Sequence, residues 1–256
     1  MKLIFLGTCS GTEPMPDRKH TSFALETEDR LYWFDAGEGC SYTAHLLGLD
    51  LMKVQKVVIS HPHMDHAGGL GNLIWNIRKL YYIRKLKPEA VPREIYFPAR
   101  KAWDGLLAFL RSTEFGDTIP EHFHYRQIQD GVLFDDGFVK VTALHNHHLP
   151  QQDGKWISYS FLIECEGKRI VFSGDVKHYN DLDGLVENGC DALILETGHH
   201  KIQDAYDYTS DKSVGKLFFV HHGREILNAT EECRQRVQEL WKGDAVICDD
   251  GMVAEL

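Results

Sequence analysis

The chain has 256 residues, 43% of them hydrophobic, enough to bury a full core without disulfides, which excludes disordered and collagen-like proteins. Its 28 Lys and Arg against 38 Asp and Glu leave a formal charge of −10, the wrong sign for a protein that coats nucleic acid by neutralising many phosphates. Cysteines at 9, 40, 165, 190, 233 and 248 form no Cys-x-x-Cys pair and read as reduced core fillers in a reducing compartment.

In chain order, β-branched and aromatic runs predict strands at Lys2–Leu6, Ser22–Glu26, Leu31–Phe34, Lys56–Ile59, Phe138–Leu144, Ser158–Glu164, Arg169–Phe172, Ala192–Leu195, Lys216–Val220 and Ala245–Cys248. The apolar start Leu3-Ile4-Phe5-Leu6 is stopped by Gly7-Thr8 and is too short for a signal-peptide core. No run approaches the roughly 18 apolar residues that span a bilayer. The expectation is a cytoplasmic protein with no membrane partner. Leu70, Leu73, Ile74, Ile77 and Tyr81 recur at helical spacing, and Thr230 is expected to cap a helix running towards Trp241. This alternation is an α/β pattern. No Pro/Gly/Ser-rich linker divides it, so residues 1–256 read as a single domain.

Two stretches resemble each other. Residues Ser22 to Asp35, from Ser22-Phe23-Ala24-Leu25-Glu26 to Trp33-Phe34-Asp35, align with Ser160 to Asp175, from Ser160-Phe161-Leu162-Ile163-Glu164 to Val171-Phe172-Ser173-Gly174-Asp175. Each reads as a hairpin followed by a loop, which predicts a fold of two related halves. Between these two stretches, Arg78–Lys101 holds eight basic residues (78, 79, 84, 85, 87, 93, 100 and 101) interleaved with Tyr81, Tyr82, Tyr96 and Phe97. That segment either contacts phosphates or is a solvated amphipathic helix whose basic stems cover apolar surface; the helix is the preferred reading.

Histidines carry the chemistry. Ten of the 15 fall at 61/63/66, 145/147/148, 199/200 and 221/222. The first cluster, His61-Pro62-His63-Met64-Asp65-His66, follows the apolar run Val57-Val58-Ile59 and precedes the Leu70 helix. Ligands on a strand-to-helix loop can converge, whereas the same residues along a regular helix would splay around it. Imidazole with carboxylate suits zinc, or a borderline metal such as manganese or iron. Other mechanisms lack their residues: there is no His-Glu-x-x-His, no Gly-x-Ser-x-Gly and no phosphate loop. Gly37-Glu38-Gly39 reads as a tight turn near the site, with Asp35 and Glu38 as candidates to orient ligands from behind.

His-x-His-x-Asp-His at 61–66, with Phe5-Leu6-Gly7-Thr8-Cys9-Ser10-Gly11-Thr12, Phe34-Asp35-Ala36-Gly37-Glu38-Gly39 and Ile170-Val171-Phe172-Ser173-Gly174-Asp175, resembles the metallo-β-lactamase superfamily. The branch it resembles contains ribonuclease Z and the cyclic phosphodiesterase of phosphonate metabolism. The resemblance implies a four-layer αβ/βα sandwich, two mixed β-sheets flanked by helices. It also implies two divalent ions. His61, His63 and His148 would hold one, Asp65, His66 and His221 the other, and Asp175 would bridge them. His147 and His222 are the reserves for His148 and His221.

Such a pair lowers the pKa of a bridging water from about 16 towards 7, so hydroxide is available at neutral pH. Asp65 is the candidate to orient that water or accept its proton. Ribonuclease Z carries His-Glu-Ala-Thr; here Leu195-Glu196-Thr197-Gly198 stands in its place, and His199 or His200 is the candidate general acid. The expected substrate is a small, cyclic or nucleotide-derived phosphodiester rather than extended nucleic acid. Competing readings are a thioester or lactone hydrolase, a tRNA 3′-processing endonuclease, and a non-catalytic nucleic-acid-binding or regulatory module. The residues leave monomer and homodimer open.

Overall fold

Fourteen strands and eight helices make up a computed structural model that describes residues 1–86, 93–115 and 122–256. The first half contributes β1 (Lys2–Gly7), β2 (Ser22–Thr27), β3 (Arg30–Phe34), α1 (Cys40–Leu46), β4 (Val54–Val58), α2 (Met64–Ala67), α3 (Leu70–Ile83), β5 (Arg93–Phe97), α4 (Arg100–Leu110) and β6 (Phe123–Gln127). The second contributes β7 (Gly131–Asp135), β8 (Val139–His145), β9 (Tyr159–Cys165), β10 (Lys168–Phe172), α5 (Asp183–Val186), β11 (Cys190–Thr197), α6 (Ile202–Thr209), β12 (Val214–His222), α7 (Arg224–Asn228), α8 (Thr230–Trp241), β13 (Ala245–Ile247) and β14 (Val253–Glu255).

The strands form two seven-stranded sheets, in the orders β14-β1-β2-β3-β4-β5-β6 and β13-β12-β11-β10-β9-β8-β7. Each sheet is antiparallel across one set of four strands, β14 to β3 or β7 to β10, and parallel across the rest. The internal resemblance is therefore structural. In the hairpin β2–β3, Phe23 pairs with Phe34; in β9–β10, Phe161 pairs with Phe172. Both turns use left-handed residues, Glu28 at φ 50° in one and Glu166 at 51° in the other. Each hairpin then leads through a parallel strand, which puts the chain segments that follow β3, β4, β10, β11 and β12 along one edge of the sandwich.

Period-two alternation sorts the core. Leu3 and Phe5 face the second sheet and pack with Phe161, Phe172 and Phe218, while Ile4 and Leu6 face outward under α1. The five apolar residues that predict α3 are all buried against the first sheet. The second sheet's outer face is covered by Ile202 and Ala205 of α6 and Cys233 and Val237 of α8. Helices thus flank two mixed sheets, the four-layer architecture the resemblance implies. All six cysteines are buried and unpaired, as core fillers should be. Among the described residues no helix is long and apolar enough to cross a membrane.

Three expectations need correction. Thr230 does not cap α8: its hydroxyl donates backwards to the Ile226 carbonyl at 2.9 Å. Strands β5, β6, β7 and β14 were absent from the pattern. Above all, the basic segment is not one amphipathic helix, because Arg93–Phe97 is a strand between β4 and β6. The buried Arg93 guanidinium donates from Nη1 to Tyr81 Oη at 2.6 Å and from Nη2 to the Met52 carbonyl at 2.7 Å, which gives both terminal nitrogens a partner where a strand would ordinarily carry an apolar residue. Lys87 lies outside the described residues.

Candidate metal centre

The edge where these segments meet carries the histidines. His61, His63, Asp65 and His66 follow β4, His148 follows β8, Asp175 follows β10, Glu196 ends β11 with His199 just beyond, and His221 lies at the end of β12. The backbone bends to deliver them: Asp35 and His221 take left-handed conformations, φ 54° and 51°, which cost energy for residues with a Cβ and concentrate at functional sites. Gly198 permits the His221 placement, since a Cβ there would collide with the imidazole. Gly37 brings its loop against the Asp65 carbonyl in the same way, which is the tight turn expected.

Three groups of four share Asp175: two are made of the expected ligands, and the third is Asp175, Glu196, His199 and His221. In the first, His61, His63, His148 and Asp175 converge: His61 Nε2 and His148 Nε2 lie 3.6 and 3.7 Å from Asp175 Oδ2, and His63 Nδ1 lies 3.1 and 3.4 Å from those two nitrogens. In the second, Asp65, His66, Asp175 and His221 converge. His221 Nε2 lies 3.1 Å from Asp65 Oδ2 and 3.3 Å from Asp175 Oδ2, and His66 Nε2 lies 3.2 Å from Asp175 Oδ1. The structure thus brings all seven expected ligands together.

The donor set fits divalent metal. His66 Nε2 and Asp175 Oδ1 are both buried without a hydrogen-bond partner, facing each other across 3.2 Å without bond alignment. Two such atoms left unpaired would each cost about 1–3 kcal/mol, and a shared cation satisfies both. Burial also holds His61 well below the ordinary imidazole range and lowers His148 to about 4, leaving neutral rings with free lone pairs. Asp175, although buried, is held well below the usual carboxylate range by the His221 and His66 charges around it. His66 is pushed well above the imidazole range: burial opposes this, but the Asp175 and Asp35 carboxylates outweigh it. A metal would replace those protons.

Behind the ligands, Asp35 is fully buried and accepts from Ser60 N at 2.6 Å, Ser60 Oγ at 2.8 Å and His66 Nδ1 at 2.7 Å. A proton on Nδ1 leaves Nε2 free to ligate. Glu196 does similar work on the other side, accepting from Gly198 N and His199 N and lying 3.5 Å from His221 Nδ1. Glu38, the other orienting candidate, is not part of this shell; its side chain is 75% exposed, 3.8 Å from His20. Ser60 gave no sequence signal, being one more hydroxyl at a strand end.

Both undecided pairs now separate. His147 Nδ1 pairs with Asp181 at 2.6 Å on the surface, so His148 is the residue in the cluster. His222 is turned away, Nε2 donating to the Cys248 carbonyl at 2.8 Å, and burial lowers it to about 3. The general-acid candidates separate too. His199 Nδ1 lies 3.1 Å from Glu196 Oε1 and 3.8 Å from Asp175 Oδ2, with the ring stacked on His221 and partly open to solvent. Its bond to Glu196 raises it above the ordinary range. His200 instead donates Nε2 to the Val176 carbonyl at 3.0 Å and packs on Tyr179, outside all three groups of four.

Among the described residues, the basic segment contributes nothing to this cluster. Arg84 is paired with Asp50, Arg100 with Asp104 and Lys101 with Asp153, and Arg78 is buried, donating to Tyr82 Oη.

A family model described as anti-Pycsar protein Apyc1 matches residues 1–223, a span that contains every residue of the centre. The chain belongs to this family. It is also similar to ribonuclease Z of Crocosphaera subtropica, with 29% identity over 153 residues, 59% of this chain and 46% of the relative. The chain spans about half the length of the curated relatives it matches. The short form of human tRNase Z superposes with a TM-score of 0.75 at 23% identity, covering 100% of this chain and 99% of that one. The metallo-β-lactamase fold protein YhfI of Bacillus subtilis superposes with a TM-score of 0.77 at 19% identity, covering 100% and 99%. The Apyc1-family chain therefore has the metallo-β-lactamase fold of the ribonuclease Z branch.

Proposed function

We propose that the protein is a binuclear metal-dependent hydrolase that cleaves a small, cyclic or nucleotide-derived phosphodiester, with residues 1–256 acting as one domain in the cytoplasm. The observation that carries the reading is the convergence of five imidazoles and two carboxylates on two adjoining points that share Asp175. His61, His63 and His148 would hold one ion and Asp65, His66 and His221 the other, with Asp175 shared by both sets of donors. Zinc fits this imidazole-rich set, and manganese or iron shares its donors. When bound, such a pair supplies hydroxide at neutral pH and charge for the developing oxyanion.

The chain's own residues do the rest. Asp65 takes the proton of the attacking water, its other oxygen contacts being His66 and His221. His199, on the open side, gives a proton to the leaving oxygen, and Glu196 holds its Nδ1 so that the ring faces the cluster. Asp35 fixes the His66 tautomer. The diester class is supported by the ribonuclease Z likeness; the same likeness favours tRNA 3′ processing as a second reading. Against that second reading, Leu195 replaces the motif's histidine and most of the described basic residues of the 78–101 segment are already paired or buried.

A metal-loaded screen of bis(p-nitrophenyl) phosphate, a tRNA precursor, a thioester and a lactone in parallel tests the proposal. Turnover of the diester is expected. Turnover confined to the thioester or lactone would overturn the substrate class, and turnover confined to the precursor would establish the second reading.

A further inference from the structure

Beside His148 and His199 opens a cavity of about 560 Å³, within the range of small-molecule sites. Its remaining wall includes Leu149, Pro150, Trp156 and Lys177. Trp156 is held in place: His145 stacks on it at 4.5 Å with 11° between planes, and His147 meets it edge-on at 5.3 Å. A ring braced this way loses little entropy when a ligand packs against what remains exposed. Lys177, two residues after Asp175, is exposed and makes no ion pair with any described residue. It is a cation held close to a centre that has to receive an anion.

A second cavity near the centre, of about 270 Å³, is lined by Cys9, Arg18, His20 and Glu38. Its arginine is already committed: Arg18 donates to Thr8 Oγ1, the Cys248 carbonyl and Asp249. Size, a free cation and an aromatic wall all favour the first cavity, and it alone adjoins the candidate general acid.

We infer that the cavity between His148 and Lys177 seats the organic group of the substrate, an aromatic ring carried on an ester oxygen, with Trp156 as its stacking wall and Lys177 contacting a non-bridging phosphate oxygen. The inference rests on the diesterase reading and adds two specificity residues to it. Stacking of a ring on an aromatic side chain is worth about 1–3 kcal/mol, so a ligand with a ring should bind the intact protein about tenfold or more tightly than one without.

The test is calorimetric binding of phenyl phosphate and methyl phosphate to the metal-loaded protein. Wild type should prefer phenyl phosphate about tenfold. Trp156→Leu should bring the ratio close to one, and Trp156→Phe should restore it. Lys177→Gln, a surface change that folding tolerates, should weaken both ligands several-fold and by similar factors, with Lys177→Arg recovering most of the loss. A wild-type ratio near one, a ratio that survives Trp156→Leu, or unchanged affinities in Lys177→Gln would overturn the assignment. These failures are distinct from failure of the diesterase reading, which would show as no diester turnover by the wild-type protein.

Discussion

Replacing Asp35 by asparagine exchanges one carboxylate oxygen for an NH2 group and tests how the centre is held. The carboxylate accepts three hydrogen bonds, from Ser60 N, Ser60 Oγ and His66 Nδ1, at 2.6, 2.8 and 2.7 Å. An amide has one accepting oxygen, so its NH2 must face a donor. If it faces Ser60 N, a buried backbone donor is stranded. If it faces His66, the imidazole has to move its proton to Nε2, the atom aimed at Asp175. The second outcome removes one charge-assisted bond, about 1.5–3 kcal/mol, and disables a ligand. Losses of this kind behind a metal ligand typically cost 10–100-fold in affinity. Competition with a chromophoric chelator measures this. The expected result is one equivalent held as in wild type, by His61, His63 and His148, and a second weakened about 10–100-fold. Two equivalents held at wild-type affinity would refute the argument that Asp35 sets the His66 tautomer.

Further outcomes follow from the same geometry. His199→Ala should lower kcat by about 10²–10⁴ with metal content unchanged, whereas His200→Ala should change kcat less than about threefold; equal losses would contradict the separation of the two. Glu94 is partly buried, which raises a carboxyl, but Lys56, Arg126 and Tyr96 at 2.7, 2.7 and 2.9 Å outweigh this and hold it down to about 2. A folded value below the unfolded one gives stability that is complete above about pH 4.5 and is lost as pH falls towards 2. Allowing for solvent screening, Glu94→Gln should cost about 1–2 kcal/mol in urea unfolding at neutral pH, with the difference shrinking below about pH 3. A difference that persists in acid would argue against the charge cluster.

Most of the fold and nearly all of the centre could be read from residue order. All ten expected strands form, because each is a short apolar run bounded by turn residues, and α3 kept its period because all five marker residues face one sheet. The four missed strands have two physical causes. Arg93–Phe97 has a buried arginine hydrogen-bonded to Tyr81 and Met52, partners distant in sequence; Phe123–Gln127, Gly131–Asp135 and Val253–Glu255 are edge strands, with exposed His124, Val132 and Val253 diluting the pattern. In the centre, cluster spacing identified which loops matter but could not choose between adjacent histidines. That choice depends on which ring finds a partner behind it: Asp181 removes His147, and the Cys248 carbonyl removes His222. Ser60 was invisible for the same reason, since its role exists only through Asp35.

The central claim is that seven side chains hold two cations. Elemental analysis of protein loaded with zinc, manganese or iron and then freed of excess ion tests it most directly. The account predicts about two equivalents per chain, falling to about one in Asp65→Ala, which removes a ligand from one ion only. Less than about one equivalent in the wild-type protein, whichever metal is supplied, would contradict it.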